Sequence, residues 1–411
     1  SEYEIDEIII AMPSAKGSTI KRIQSICRDV GVGCKVIPGA YDILTGLAVP
    51  ESVREVRFSD FIKREPALVD LDSIRGYVEN ATILVTGAGG SIGSELARQL
   101  SVLNPGRLIL LDRAENSLTE LLWDLKLTGK DKIAEVVIAD LNETAKLKHV
   151  FSQYSPKVVF HAAAFKHVYL MEMFPEEAIR NNIIGSNLLF KLAIESGVDR
   201  IIAISTDKAV NPTSVMGASK RVMELLVKQY ARDQDRTSLS AVRFGNVFNS
   251  DGSVVRLFMK QIERGGPITI TDPDVERFFM SVSEAAQLVI QAGAFSDSGS
   301  IYMLDMGEPL RIMDIAKEMC LLSGHKLGET IEVHITGLKS GEKMTEELAT
   351  QMETVEKTTN ERVFRLADDS PTWDNMEESL DRLNTLAHEC KREEILTELQ
   401  ILVPEYKREI N

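Results

Sequence analysis

The sequence predicts an α/β protein organised around a doubly wound parallel sheet. Short apolar runs end in small or polar residues, and segments with helical periodicity separate them. Such alternation is typical of parallel sheets, because the crossover helices cover both faces of the strands. The predicted strands are "ATILVTG", "RLILLD", "EVVIAD", "KVVFHAAA" and "RIIAIST", which begin at residues 81, 107, 135, 157 and 200.

Length and charge restrict the classes of partner. A chain of 411 residues is too long for one ordinary domain, and its 44% hydrophobic and 27% charged residues are typical of a globular protein. The formal net charge of -15 argues against nucleic acid, since phosphate neutralisation needs a basic surface. A nucleotide ligand remains compatible, because a few local cations can hold a diphosphate.

Cysteine and histidine usage indicates a cytoplasmic protein without a metal site. The four cysteines are scattered without metal-ligand spacing, and the six histidines form no HExxH motif. No run of about 20 apolar residues is present, so we expect no membrane contact by this chain.

Four regions are predicted along the chain. Residues 1–50 contain a strand, an amphipathic helix and a short strand, and two strands alone are marginal. We therefore interpret them as the C-terminal fragment of a preceding α/β domain; the alternative is that they dock on the main domain. Residues 51–80 are predicted to be a linker with short helices, residues 81–350 the main α/β domain, and residues 351–411 a charged helical region.

A glycine-rich turn predicts a dinucleotide site. "TGAGGSIGSEL" follows a predicted strand and opens a predicted helix, with Gly87, Gly90 and Gly93 in a TGxxGxxG spacing. Glycine lets the backbone approach a pyrophosphate, and the helix N-terminus offers it free N–H groups and a positive dipole end. Ser91 and Ile92, between the last two glycines, belong to the same predicted Rossmann-like site.

The end of the next strand predicts which nicotinamide cofactor is bound. Asp112 follows Gly93 by 19 residues and is placed to accept a hydrogen bond from the adenosine ribose 2′-hydroxyl. This favours NAD over NADP, since a carboxylate repels a 2′-phosphate. Arg113 beside it argues in the opposite direction.

Later strand ends supply further candidate cofactor contacts. Asp140 could bind adenine or cap a helix, Lys166 could reach the cofactor or substrate or be solvated, and a buried Asn182 could instead fix backbone or a water. The alanines of "HAAAFKH" leave room where a strand passes close to a cofactor. The full candidate set is Asp140, Leu141, Ala162, Ala163, Ala164, Lys166 and Asn182.

The stretch "STDKAVNPTSVMGASK", residues 205–220, carries the candidate chemistry. Thr206 stands at the carboxyl end of a predicted strand, where α/β proteins bind ligands. Met216 and Lys220 are four residues apart and share one face of the following helix.

Six motifs give the chain a specific resemblance over residues 81 to about 350. They are "VTGAGGSIGSEL", "HAAAFKHV", "STDKAVNP", "RFGNVFNSDGSV", "RFFMSVSEA" and "GLKSGEKMTEEL". The chain resembles the extended short-chain dehydrogenase/reductase superfamily and, within it, the bacterial polysaccharide-biosynthesis nucleotide-sugar 4,6-dehydratases. The resemblance implies an NAD-binding part at about 81–245, a smaller C-terminal substrate-binding subdomain at about 246–350, and a homodimer. It also implies a longer parent protein, anchored in the bacterial inner membrane by segments outside this chain, with a cytoplasmic catalytic portion.

The resemblance implies a catalytic set from which one member is missing. In the family a Ser or Thr, a Tyr and a Lys oxidise the sugar, and the Lys also binds the nicotinamide ribose of the cofactor. Thr206 and Lys220 match, whereas Met216 replaces the tyrosine. A thioether cannot act as a base. The resemblance implies Asp207 as the acid and Lys208 as the base for the loss of water, and we expect the buried lysine to have a depressed pKa. Lys208 could also serve the C4 hydroxyl. A Met-containing subgroup of the family acts on UDP-N-acetylglucosamine and retains the C5 configuration.

Residues implied to bind the UDP-N-acetylhexosamine substrate come from the later motifs. Asn246 and Arg277 match diphosphate contacts, Phe258 could pack by the base and Thr269 could contact uracil, with a structural ion pair as the alternative for Arg277. Lys339 stands where relatives carry an arginine. The implied substrate set is Lys166, Asn246, Ser253, Val254, Phe258, Thr269, Arg277 and Glu342.

The resulting expectation is an NAD-dependent UDP-N-acetylglucosamine 4,6-dehydratase. The reaction oxidises C4, eliminates water across C5 and C6, and returns the hydride to C6. The alternatives are a nucleotide-sugar C4 epimerase, a C5-inverting dehydratase and a non-catalytic sensing module. The apolar face of the helix after Lys220, with Met223, Leu226, Val227 and Tyr230, is predicted either to pair two protomers or to be buried within one.

Overall fold

A small N-terminal unit precedes the main domain. The chain is represented by a computed structural model that describes residues 5–12, 15–37, 53–56, 58–61, 68–248, 250, 252–295, 297–367 and 375–408. The unit's elements are β1 (Glu7–Ile10), α1 (Gly17–Asp29), β2 (Gly33–Val36), β3 (Arg54–Glu55) and α2 (Phe58–Phe61).

The N-terminal sheet has a strand that the sequence did not reveal. Its order is β1-β2-β3, with β1 and β2 parallel, and β3 comes from the predicted linker. Ile20, Cys27 and Val36 form its core. The predicted strand, helix and strand of this region are confirmed. Residues 38–52, at the predicted boundary of fragment and linker, and residues 62–67 of the linker lie outside the described residues.

The main sheet of the described chain has nine strands in the order β17-β18-β14-β9-β8-β7-β4-β5-β6. From β14 to β6 neighbouring strands are parallel, which confirms the predicted fold class, whereas β18 and β17 are antiparallel. The strands are β4 (Thr82–Thr86), β5 (Arg107–Asp112), β6 (Ala134–Ile138), β7 (Val158–His161), β8 (Arg200–Ile204), β9 (Ser238–Arg243), β14 (Ser300–Leu304), β17 (Thr354–Lys357) and β18 (Val363–Ala367).

Helices cover both faces of this sheet. Side chains alternate along β4, so Leu84 packs in one core and Ile83 and Val85 pack in the other. The helices are α3 (Leu71–Val78), α4 (Ser91–Ser101), α5 (Glu115–Leu127), α6 (Thr144–Tyr154), α7 (Val168–Met173), α8 (Pro175–Ala178), α9 (Gly185–Glu195), α10 (Val215–Asp233) and α12 (Val282–Gly293), with a π-helical turn at Ile179–Ile184.

A subdomain sits over the carboxyl ends of the parallel strands. Its core contains Phe258, Ile268, Phe279 and Ile315. Its elements are β10 (Asn246–Val247), α11 (Val254–Glu263), β11 (Ile268–Ile270), β12 (Glu276–Arg277), β13 (Phe279–Met280), β15 (Leu310–Arg311), α13 (Ile312–Leu322) and β16 (Val333–Ile335).

The C-terminal region is helical only in its second half. The prediction of helix from residue 351 is wrong for β17 and β18, which extend the sheet because Val363 and Leu366 bury their side chains against its core. Helices α14 (Met376–His388) and α15 (Arg392–Leu402) follow.

The two C-terminal helices cover the apolar face of α10. Met223, Leu226 and Val227 are fully buried in one core with leucines of α14 and α15. Of the two readings of this face, burial within the protomer is therefore the one observed. Within the described residues, no helix has the length and apolar character needed to cross a membrane.

Candidate active site

A cavity of about 770 Å³ lies between the carboxyl ends of the parallel strands and the subdomain. This is the position at which open α/β sheets bind ligands. Residues predicted for cofactor, catalysis and substrate meet in its wall. They are Gly90, Ser91, Ile92, Gly93, Ala162, Ala164, Lys166, Thr206, Lys208, Met216, Lys220, Asn246, Ser253, Val254, Thr269, Arg277 and Glu342.

The glycine-rich turn presents the start of α4 to this cavity. Gly87 has a φ of +67°, and a Cβ there would lie 2.5 Å from the backbone nitrogen of Ala163. A Cβ on Gly93 would lie 2.0 Å from the carbonyl oxygen of Gly87. The strand end and the turn therefore pack backbone to backbone, so that Gly87 and Ala163 shape the site from outside the cavity wall.

The carboxylate of Asp112 supports the turn. It accepts hydrogen bonds from the backbone N–H groups of Gly89 and Ala114, both at 2.9 Å. Asp112 is not among the described residues of the cavity wall. Its contact with Gly89 ties the end of β5 to the glycine-rich turn.

The Arg113 side chain contacts two other side chains beside the cavity. Its Nη1 lies 3.3 Å from the Oδ2 of Asp140, and its guanidinium stacks 4.3 Å from the ring centre of Phe165. Burial acts to raise the pKa of Asp140, yet hydrogen bonds from Asn142 and the charge of Arg113 lower it. Asp140 and the buried Leu141 likewise lie outside the described cavity wall.

Asn182 fixes the backbone of the cavity wall. It lies fully buried in the π-helical turn, where its Nδ2 donates to the Phe165 carbonyl and to Ser219 Oγ, both at 3.0 Å. Its Oδ1 accepts from the Phe165 N–H at 2.8 Å. Backbone support, one of the roles that the sequence allowed, is thus observed, and contact of Asn182 with a cofactor stays a prediction.

Thr206, Asp207 and Lys208 form a connected cluster where β8 ends. Thr206 Oγ1 donates to Asp207 Oδ1 at 2.9 Å, and Lys208 Nζ donates to the same oxygen at 2.9 Å and to Asn246 Oδ1 at 3.0 Å. Asp207 is fully buried, and its Oδ2 has no hydrogen-bond partner within the described chain. A Cβ on Gly245, a wall residue, would lie 3.1 Å from that Oδ2.

The expectation of a depressed pKa for Lys208 is wrong. Burial acts to lower this pKa, but the negative charges of Asp207 and Glu346 outweigh it and raise the pKa above its ordinary value. The Oε1 of Glu346 lies 3.6 Å from Lys208 Nζ. Lys208 therefore holds its proton at neutral pH, which fits a proton donor better than the predicted base.

Met216 and Lys220 lie on the same wall in less charged surroundings. Met216 is 3% exposed, and Lys220 Nζ lies 3.1 Å from the sulfur of Met223. Burial lowers the pKa of Lys220 to about 8, although the charge of Glu224 opposes the shift. Burial also lowers the pKa of the nearby His161 to about 3, so that this imidazole is neutral.

The substrate side of the cavity contains a guanidinium in an ion pair. Arg277 is 6% exposed, and its Nη2 lies 3.0 Å from Glu342 Oε1. The ion pair that the sequence left as the alternative is thus present, and both side chains line the cavity. Thr269 also lines the cavity, while its backbone N–H donates to Gln261 at 3.1 Å.

The expectation that Phe258 packs beside a bound base is wrong. Phe258 is fully buried in the core of the subdomain, whereas Leu257 and Val254 of the same helix line the cavity. The helix face that meets the cavity is therefore offset from Phe258.

Several residues of the site were missed by the sequence reasoning. Phe165 and His167 line the cavity within the quoted "HAAAFKH", where helical or strand periodicity gives no sign of which side chains face a ligand. Glu346 lies in the quoted "GEKMTEEL", and its contact with Lys208 depends on a loop far along the chain. In the described residues no group of three His, Cys, Asp or Glu side chains is placed to hold a metal ion.

A buried ion network lies directly beneath the wall. Ser205 Oγ donates to Glu224 Oε1 at 2.6 Å, and Arg243 Nη2 lies 2.7 Å from Glu224 Oε2 and 3.0 Å from Glu353 Oε1. Burial acts to raise the pKa of Glu224, but the charge of Arg243 lowers it to about 2. The network joins the active-site helix α10 to the segment that leads into β17.

Fold and site together define an extended short-chain dehydrogenase/reductase of the nucleotide-sugar dehydratase and epimerase type. Residues 83–368 match the family described as polysaccharide biosynthesis protein, and the chain belongs to that family. The family resemblance stated from the motifs is thereby confirmed.

Known proteins agree with this placement. The chain is 43% identical over 365 residues to the capsular polysaccharide biosynthesis protein CapD of Staphylococcus aureus, covering 89% of this chain and 61% of that protein. It is 32% identical over 272 residues to the UDP-glucose 4-epimerase of Rickettsia canadensis, covering 65% of this chain and 77% of the epimerase. The dTDP-glucose 4,6-dehydratase DesIV of Streptomyces venezuelae, crystallised with NAD, shares the fold with a TM-score of 0.58 at 20% identity, over 65% of this chain and 88% of DesIV.

Proposed function

We propose that the chain is an NAD-dependent UDP-N-acetylglucosamine 4,6-dehydratase that retains the configuration at C5. The observation that carries the proposal is the cluster of Thr206, Asp207 and Lys208. In this cluster Asp207 Oδ1 accepts hydrogen bonds from Thr206 Oγ1 and from Lys208 Nζ, each at 2.9 Å. An elimination of water needs a proton acceptor and a proton donor side by side, and this cluster supplies both.

The residues of the glycine-rich turn fit a nicotinamide cofactor. The N-terminus of α4 from Gly90 to Gly93 opens into the cavity, and a Cβ at Gly87 or Gly93 would collide with backbone. This supports a diphosphate at the helix start. When bound, the nicotinamide supplies a reversible acceptor for the hydride of a sugar C–H bond. Asp112 favours NAD, and Arg113 is held by Asp140 and Phe165.

The sequence suggested Asp207 as the acid and Lys208 as the base. We assign the opposite roles, because the charges of Asp207 and Glu346 keep Lys208 protonated. Lys208, held protonated, donates a proton to the departing C6 hydroxyl. Asp207 accepts the C5 proton; because it is fully buried and lies outside the described cavity wall, its carboxylate must turn towards the substrate to do so. The C5–H and C6–O bonds break and a C5–C6 double bond forms. The C6 hydroxyl leaves as water with the proton from Lys208, and the C5 proton stays on Asp207.

Lys220 replaces the missing tyrosine in the oxidation of C4. Met216 has no basic atom, whereas burial lowers the pKa of Lys220 to about 8 and gives it a neutral fraction near physiological pH. Thr206 orients the C4 hydroxyl and Lys220 takes its proton. Arg277 holds the substrate diphosphate, exchanging the carboxylate of Glu342 for phosphate oxygens.

Incubation with UDP-N-acetylglucosamine in deuterated water tests the proposal. The expected product has lost one water by mass spectrometry, carries deuterium at C5 and shows the starting C5 configuration by NMR. Inversion at C5 would reject the stereochemical part alone. Recovery of a C4 epimer without loss of water would favour the second candidate, an epimerase, for which the similarity to the Rickettsia canadensis protein speaks.

A further inference from the structure

We propose that Glu346 is a positioning residue that, together with Asp207, holds the Lys208 side chain in place as an ammonium. The role rests on the proposed dehydration chemistry, in which Lys208 is the proton donor. Glu346 does not belong to the described cavity wall, whereas its two cationic neighbours, Lys208 and Arg277, do, and we assign it a role through Lys208.

The carboxylate of Glu346 faces two cations. Its Oε1 lies 3.6 Å from Lys208 Nζ and 3.9 Å from Arg277 Nε. The side chain is 4% exposed, and Oε2 has no hydrogen-bond partner in the described part of the chain. A buried carboxylate in this position is favourable only because its charge is matched by neighbouring cations.

The loop that carries Glu346 is fastened to the segment that follows Lys208. Lys343 Nζ donates to the carbonyl oxygen of Val210 at 2.8 Å, and Asn211 Nδ2 donates to Glu347 Oε2 at 2.9 Å. Thr213 Oγ1 donates to the carbonyl oxygen of Gly341 at 3.0 Å. These bonds on both sides of Glu346 fix its distance from Lys208.

The arrangement also connects the proton donor to the substrate's diphosphate. The groups facing Lys208 are the carboxylates of Asp207 and Glu346, the amide of Asn246 and the guanidinium of Arg277. Asp207 and Glu346 favour the ammonium form, and Arg277 disfavours it. Since Glu346 lies between Lys208 and Arg277, neutralising its charge weakens the hold on the Lys208 proton.

Competitive labelling tests the inference without relying on turnover. The full chain is treated at pH 8 with a trace of acetic anhydride, and acetylation of the peptide that contains Lys208 is measured by mass spectrometry. Only the neutral amine reacts. Glu346→Gln is expected to raise the labelling rate of Lys208 about tenfold, since loss of a nearby opposite charge lowers a pKa by about one unit. Glu329→Gln, a change of an exposed carboxylate outside this loop, is the control and should leave the rate unchanged.

The Glu346→Asp variant distinguishes an effect of the carboxylate charge on Lys208 from an effect of reagent access to Lys208. It keeps the carboxylate, so labelling should stay close to the wild-type rate, whereas equal acceleration in both variants would report a loosened loop and overturn the inference. An unchanged rate in folded Glu346→Gln would overturn it too. Should that variant fail to fold by circular dichroism, Glu346→Ser receives the same measurement. Absence of dehydration by the wild type would reject the proposed function while the labelling comparison keeps its meaning for Glu346.

Discussion

Lys208 and Lys220 line the same cavity, yet their surroundings control their protons in opposite directions. Lys208 lies beside the carboxylates of Asp207 and Glu346, whose charges raise its pKa against the effect of burial. Lys220 lies beside a thioether, and burial lowers its pKa to about 8. The comparison teaches that burial alone does not decide the protonation of a lysine, because a paired carboxylate at short distance outweighs desolvation.

Replacing Lys208 should have the largest effect. Lys208→Met removes the proposed proton donor and is expected to lower kcat for water loss about 10³-fold, the usual contribution of general acid catalysis. Turnover is measured by mass spectrometry, and binding of UDP by calorimetry should remain close to wild type. Lys191→Met, a change of an exposed lysine paired with Glu377, is the control. A Lys208→Met enzyme with wild-type turnover would contradict the assignment.

Replacing Lys220 should remove a pH dependence as well as activity. The proposed base must be neutral, so wild-type kcat is expected to rise as the pH rises through about 8, where Lys220 loses its proton. Lys220→Arg keeps the charge at all accessible pH values and should lower kcat about 10²-fold. The rise near pH 8 should vanish with it. Its persistence in the variant would assign that titration to another group.

Replacing Arg277 should mainly weaken substrate binding. Arg277→Gln removes the guanidinium proposed for the diphosphate and should raise KM about tenfold, the value of one charge-assisted hydrogen bond. It also removes the cation that disfavours the Lys208 ammonium, so labelling of Lys208 at pH 8 should slow. A fall in kcat with KM unchanged would instead indicate a role in the chemical step.

Replacing Glu224 should change the activity less than replacing Lys208, Lys220 or Arg277. The charge of Glu224 raises the pKa of Lys220, so Glu224→Gln should move the rise in kcat to lower pH by less than about one unit. The same change breaks the buried contact with Arg243 and should reduce stability by about 3 kcal/mol. Thermal melting measures the second effect, and the kcat profile is recorded well below the melting temperature. A shift to higher pH would contradict the electrostatic reading.

Sequence reasoning predicted the parts of the fold that depend on local pattern. The apolar runs that became β4 to β8 and the glycine-rich start of α4 carry their signals within a few residues. Strands β17 and β18 were missed because their charged residues resemble the helical region that follows. Their strand identity comes from pairing with β14, a contact between distant parts of the chain.

The sequence predicted which residues belong to the site better than it predicted the chemical role of each residue. The candidate residues make up half of the described cavity wall, since the resemblance transfers positions directly. The orientation of α11, which directs Phe258 into the subdomain core, depends on packing that no single helix encodes. The charge state of Lys208 depends on Glu346, whose loop reaches it only in the folded chain.

The antiparallel pair β17–β18 has a practical meaning for the limits of the folded unit. A chain cut at residue 350 would leave β14 with an open row of backbone hydrogen-bonding groups, a known template for aggregation. It would also strip Arg243 of its Glu353 partner and uncover the apolar face of α10. The folded unit around the main sheet therefore reaches through α15, and the stretch after residue 350 is as much a part of that fold as strands β4 to β8.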